Sequence, residues 1–201
     1  TPKTSSAASD VYKRQMLIGD SPVAGNENNG GNNRTQVITD IQFGGGTNNL
    51  NVDTLTLGGQ KSQGKITLDA GGTLNLTGAT GAAANANLGF NVTGNTGTNS
   101  LGSIDTTGGT LNATVGALNL GRHAVGAGDG IGELIFDAGT ITADTVALGT
   151  GGLDGRGTIL QSGGTMTVAN GVTDDGPSIL GVFGGDFVVT TGGLSAVSYT
   201  H

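Results

Sequence analysis

The sequence predicts an all-β chain wound as a β-solenoid, and three observations predict it. Glycine supplies 41 of the 201 residues, with Thr at 29 and Asn at 17. A Leu-Gly pair recurs at Leu57-Gly58, Leu88-Gly89, Leu120-Gly121, Leu148-Gly149 and Leu180-Gly181, at intervals of 31, 32, 28 and 32 residues. Short runs in which apolar and polar residues alternate stand beside Gly-Gly-Thr breaks, as in Gly71-Gly72-Thr73-Leu74-Asn75-Leu76. A helical domain is excluded on the first count alone, because each interior Gly costs a helix ~1 kcal/mol against Ala.

The ends differ from the middle. Ser9-Asp10-Val11-Tyr12-Lys13-Arg14-Gln15 and Ala196-Val197-Ser198-Tyr199-Thr200-His201 resemble translated sequencing-adapter remnants found at the ends of metagenomic reading frames. The expectation is therefore an internal fragment of a longer protein. Residues 1–15 are expected to be a non-native or disordered leader, and 194–201 a non-native tail. Residues 16–36 carry Asn26, Asn28, Asn29, Asn32 and Asn33 among glycines. Such a stretch holds too little apolar surface to offset the entropy of ordering it, and reads as flexible.

The solenoid is expected over 37–193. In Thr73-Leu74-Asn75-Leu76-Thr77 the two leucines point one way and the polar residues the other, which is the period of a strand. Thr140-Ile141-Thr142 and Thr165-Met166-Thr167-Val168 repeat the pattern, and β-branched residues suit a pleated surface. Gly-Gly-Thr marks stand at Gly45, Gly71, Gly108 and Gly163, where glycine turns corners without a Cβ penalty. A strand this short buries little alone; stacked on its equivalent one repeat later, it closes an apolar column. Five Leu-Gly marks imply about five irregular coils of roughly 30 residues, a stub about 25 Å long at the spacing of paired strands. The segment 77–100, rich in Ala, Asn and Gly, is expected to be the largest excursion from the coils. A β-sandwich does not require a 31-residue repeat, and a propeller blade needs ~40 residues.

The stretch Ile66-Thr67-Leu68-Asp69-Ala70-Gly71-Gly72-Thr73-Leu74-Asn75-Leu76-Thr77-Gly78 resembles the Gly-Gly-Thr-Leu repeats of bacterial autotransporter passengers and related surface proteins. The resemblance spans roughly residues 37–193. It implies a right-handed parallel β-helix exported to the cell surface, acting as a stalk, an adhesin or a carrier of other domains.

The net charge is −7, from eight Lys and Arg against fifteen Asp and Glu. So acidic a chain repels phosphate backbones, and no nucleic-acid partner is expected. Cysteine is absent, which excludes disulfides and thiolate metal sites. Carbohydrate enzymes also use parallel β-helices, and they need clustered carboxylates with cations on one face. Arg122, His123, Asp129, Glu133, Asp137, Asp154 and Arg156 are the residues from which such a cluster could come, with Arg122 near Thr150 if Leu120 and Leu148 stack. They read more simply as a solvated corner. Trp is absent and both Tyr lie in the suspect ends, so the aromatic platform usual in sugar clefts is missing. Phe136 and Phe187 read as core. Gly126-Ala127-Gly128-Asp129-Gly130 is similar to a calcium-binding nonapeptide, but its Asp is out of register and the unit does not repeat. Asp174-Asp175-Gly176 reads as a solvated turn. Gly-x-Gly strings lack the strand–helix context and the Lys of a phosphate loop. The Thr-x-Thr elements Thr54-Leu55-Thr56, Thr140-Ile141-Thr142 and Thr165-Met166-Thr167 could suggest an ice-binding face, but they are not spaced as a regular ladder in every coil and read better as ordinary solvent-facing strand positions.

No catalytic, cofactor-binding or metal residue is assigned, and no cofactor is expected. The functional expectation is a non-enzymatic structural or adhesive β-solenoid segment of a larger secreted or surface-displayed bacterial protein. The alternative is a polysaccharide lyase or glycoside hydrolase module acting through Arg122, Asp137 and Arg156. Expected partners are a host surface, a glycan or a second copy of the chain, with an outer-membrane translocator or cell-surface anchor outside this fragment. The expected location is extracellular or at the cell surface, associated with the outer membrane.

Overall fold

The computed structural model describes residues 15–20, 38–60, 62–91, 99–124, 128–195 and 199–200. The suspected remnant at 9–14 and the segment 21–37 lie outside them. An opening strand, β1 (Gln15–Asp20), precedes six passes of the chain. The first pass is β2 (Ile38–Phe43), β3 (Thr47–Asn51) and β4 (Thr54–Gly59); the second is β5 (Gln63–Leu68), β6 (Thr73–Thr77) and β7 (Ala84–Asn91). The third is β8 (Ser100–Asp105) and the long β9 (Thr110–His123); the fourth is β10 (Gly130–Phe136) and β11 (Gly139–Leu148). The fifth is β12 (Gly155–Gln161), β13 (Thr165–Val168) and β14 (Val172–Asp174), and the sixth is β15 (Ile179–Val182), β16 (Asp186–Val189) and β17 (Leu194–Ser195). A last short strand, β18 (Tyr199–Thr200), follows.

Every pairing among these strands is parallel. They form two sheets, of eleven and seven strands. The chain visits three columns of strands in the same order on each pass. The seven-stranded sheet is the first column, β2-β5-β8-β10-β12-β15-β18. The second runs β3, β6, the first part of β9, the first part of β11, β13 and β16. The third runs β1, β4, β7, the later parts of β9 and β11, β14 and β17. In β9 and β11 the second and third columns are continuous, which joins them into one sheet.

The core lies between the columns. Ile66, Ile104, Leu134, Ile159 and Leu180 are stacked by register along the first column and are fully or almost fully buried. Leu74, Leu111, Ile141 and Met166 line the second. Ile18, Leu57, Leu88, Leu120 and Leu148 line the third in one continuous stack. Each strand alternates, so β6 buries Leu74 and Leu76 and half-exposes Thr73, Asn75 and Thr77. Burying one such Leu stabilises the fold by about 1.5–3 kcal/mol. Phe136 is wholly buried and Phe187 packs half-buried against the core.

Where the third column turns back toward the first, each stacked apolar residue is followed by a glycine at positive φ: Gly19, Gly58, Gly89, Gly121 and Gly149. The two columns approach so closely here that a Cβ on Gly89 would overlap the carbonyl oxygen of Ile131. The facing strands answer with their own glycines, Gly64, Gly102, Gly132 and Gly157, which are paired in register. A Cβ on Gly102 would in turn overlap the carbonyl oxygen of Leu57. The Leu-Gly mark thus joins a core residue to a backbone-on-backbone corner.

Three expectations need correction. Leu180-Gly181 does not continue the Leu-Gly stack: Leu180 pairs with Ile159 in the first column, while Asp174 pairs with Leu148. Two adjacent residues satisfy both columns chemically, so the motif alone cannot tell them apart. Consequently the passes number six among the described residues, with steps of 25, 38, 30, 25 and 21 residues along the first column. Segment 77–100 is not one excursion, because β7 crosses it with Ala84, Ala86 and Leu88 buried. Small alanines fit beneath the neighbouring Leu118, paired with Ala86, so the Ala-rich composition is packing rather than looseness. Finally, residues 16–20 of the expected flexible segment belong to β1, where Ile18 supplies the apolar anchor on Leu57.

Candidate functional site

Two surface regions carry polar chemistry. The first is the corner between the third and first columns around the third to fifth passes. Gly121 ends the stacked part of β9 and sends Arg122 and His123 past the core. The Arg122 guanidinium lies 4.9 Å from the ring centroid of Phe90, its register partner in β7. Such a cation–π contact is worth about 0.5–1 kcal/mol at an exposed site. The backbone N–H of His123 donates to the carbonyl of Thr150 at 2.8 Å. The neighbour expected for Arg122 therefore belongs to His123. A single 3-10 turn, Gly152–Asp154, brings the Asp154 carboxylate within 3.8 Å of His123 Nδ1. Arg156, at the start of β12, meets Asp129 at 3.2 Å. With Arg156 half-exposed, this pair contributes about 0–1 kcal/mol.

Beneath that corner Asn91 is fully buried. Its amide nitrogen donates to the carbonyl of Gly128 at 2.7 Å, and its Oδ1 has no partner among the described residues. Nothing in the sequence pattern singled out Asn91; a polar residue at the end of an alternating run, one step past Phe90, is its only signal.

The remaining candidates disperse. Asp137 follows Phe136 at the far end of β10, whereas Ile131, near its start, pairs with Arg156. Six residues of strand separate them, about 20 Å. Arg122 and Arg156 share a corner, and Asp137 does not join them. The Asp137 Oδ2 instead accepts the Gly108 N–H at 2.8 Å, tying the third pass to the fourth. Asp174 accepts the Gly176 N–H at 3.1 Å and Asp175 the Gly151 N–H at 3.4 Å, so both acids of that turn hold backbone. Residues 125–127 of the calcium-like stretch lie outside the described residues. Among the described residues no three His, Asp or Glu converge as a metal site would require. Glu133 lines a shallow depression of about 210 Å³ on the outer face of the first column, with Asp40, Lys65, Ser103, Ile38 and Leu101. Lys65 there is 3.8 Å from Asp105.

The second region is the outward face of the second column. Thr47, Thr73 and Thr110 form one rank by register. Asn49, Asn75, Asn112, Thr140 and Thr165 form the next, which ends on the exposed Asp186. Asn51 pairs with Thr77, which lies one residue past the paired Leu76 and Ala113 and so beside Thr114; Thr142 and Thr167 continue that rank, and the exposed Val188 ends it. The amides are fixed to one another: Asn75 donates to Asn49 at 2.9 Å and Asn112 to Asn75 at 3.1 Å. The Thr77 hydroxyl donates to Asn51 at 2.9 Å. The ladder is thus one of mixed Asn and Thr: Thr140-Ile141-Thr142 and Thr165-Met166-Thr167 align in it, whereas Thr54-Leu55-Thr56 lies in the third column with Thr56 buried. Register is set by strand pairing, and the corners absorb the unequal lengths between passes.

The fold and these surfaces define the class: an all-β, parallel-stranded repeat chain with charged residues along the outer face of its first column and a Thr/Asn ladder along that of its second. No family model, curated protein or solved structure matches the chain.

Proposed function

We propose that the chain is a segment of a right-handed parallel β-helix serving as a structural or adhesive passenger of a larger secreted or surface-displayed bacterial protein. The observation that carries this reading is the unbroken parallel register of three strand columns, visited in fixed order on every pass. Such a stack transmits length and stiffness, because each pass hydrogen-bonds only to its neighbours. Its glycine corner keeps the cross-section narrow, and Thr and Asn hydrate the outer face of its second column. A surface stalk needs those properties and no reaction centre. The lyase or hydrolase alternative gains nothing from the geometry, since Asp137 stands a strand's length from Arg122 and Arg156.

The test is long-read sequencing of the native locus on both sides of this segment, followed by protease shaving of intact cells. A β-barrel or sorting tail downstream, with further Leu-Gly passes and loss of the segment on shaving, is the expected result. A flanking carbohydrate-binding module, or activity on glycans lost in the triple variant Arg122→Ala, Asp137→Ala, Arg156→Ala, would replace this reading with the enzymatic one.

A further inference from the structure

We propose that the outward Thr/Asn face of the second column docks onto an ice surface. The inference stands independently of surface display, since it rests on that face alone. The ranks described above repeat in two directions. Neighbouring strands stand about 4.8 Å apart and alternate residues along a strand about 6.7 Å apart. A face with a fixed repeat in two directions fits a partner with a fixed repeat of its own; bulk water and flexible polymers have none.

Charge points the same way. From Asn49 to Thr167 the ranks contain no ionisable group, only hydroxyls and amides. On the first column Asp40, Lys65, Asp105 and Glu133 face outward, whereas the second column carries one charge, Asp186, beside Thr165 on the sixth pass and outside the five-pass array. Ice is a neutral lattice of hydrogen-bond donors and acceptors, and an uncharged face complements it. A charged face would instead hold a disordered hydration shell. The ranks also contain no aromatic ring, which argues against the planar face of a crystalline sugar.

Rigidity completes the argument. Thr is restricted at χ1, and the Asn amides are pinned by the bonds among Asn49, Asn75 and Asn112. The array is therefore set before the partner arrives, and little side-chain freedom is lost on docking. Thr114, Thr140 and Thr142, at the centre, are exposed to solvent.

The experiment uses the whole chain. Freezing hysteresis and partition into a growing ice front are measured for the wild type, Thr142→Lys and Thr114→Lys, with Thr158→Lys on the charged first column as control. Circular dichroism checks that each retains its β signature. The expected result is faceted crystals, a hysteresis gap and enrichment in ice for the wild type and Thr158→Lys, and loss of all three in Thr142→Lys and Thr114→Lys. A wild type that is excluded from ice and leaves its growth unshaped overturns the proposal without reference to any variant. Equal effects from the control and the rank variants also overturn it. Retention on microcrystalline cellulose or chitin without any effect on ice overturns it in favour of a glycan lattice.

Discussion

Gly89 and Gly71 share a left-handed backbone, at φ 68° and 77°, but differ in what surrounds them. Nothing lies within 4 Å of the place a Cβ would take on Gly71, whereas on Gly89 it would strike the Ile131 carbonyl. Gly71→Ala should therefore cost only the conformational term, roughly 1–2 kcal/mol. Gly89→Ala adds a backbone overlap that neither column can relieve, and should exceed about 3 kcal/mol, in the tail of single-residue effects. Urea unfolding of the two variants measures the difference; equal costs would show that the corner is looser than described. Arg156→Ala is the opposite case. It removes one half-exposed ion pair and should shift stability by less than about 1 kcal/mol, a shift that shrinks as salt is raised. The acids repay similar attention at this scale. Asp137, Asp174 and Asp175 read in the sequence as acids of solvated corners, and in the fold each accepts a backbone N–H.

The element is the strand column rather than the strand. Leu88 is stacked between Leu57 and Leu120 and is wholly buried. Leu88→Ala should cost about 2–5 kcal/mol, because passes fixed by backbone pairing on both sides cannot collapse into the gap. Asn75 gives the outer counterpart, donating to Asn49 and accepting from Asn112. Asn75→Ala removes both bonds on a half-exposed face and should cost on the order of 1 kcal/mol. Thermal unfolding of these two variants separates the core's share from the ladder's. The buried Gln161 shows a column changing character. It occupies the register position of Phe136, and its amide nitrogen donates to the carbonyls of Gly164 and Asp186 at 3.2 and 3.1 Å. On the fifth pass this polar side chain stitches the first column to the second, and Val182 takes the position on the sixth.

At the scale of the whole molecule, stability follows from neighbours. Each pass contacts the one before and the one after, so the middle passes are held on both sides and the outer ones on one. Hydrogen exchange should be slowest in β8 to β11 and faster in β16 and β17; uniform protection would contradict a stack of coupled repeats. An outermost parallel strand also presents unpaired N–H and C=O groups, a template for another chain. The segment in isolation should therefore self-associate end to end, and sedimentation velocity should show a weight that rises with concentration. A single monomeric boundary across the range would remove that expectation. Exposed Ile179, Phe183 and Val188 near the last pass add apolar surface to the same end.

The sequence by itself determined the strand class, the inward and outward sides of each run, and the pairing of core leucine with corner glycine. Alternation and glycine placement are local properties, and Leu57, Leu88, Leu120 and Leu148 stack as their spacing predicts. Only the tertiary structure decided which column each run joins. Leu180 entered a different column from Leu148, the Ala-rich 84–91 became a buried strand, and unevenly spaced Thr and Asn came into line across five passes. The physical reason is that parallel pairing fixes register through backbone hydrogen bonds between residues 19 to 39 positions apart. Corner loops of differing length then take up whatever the sequence leaves over.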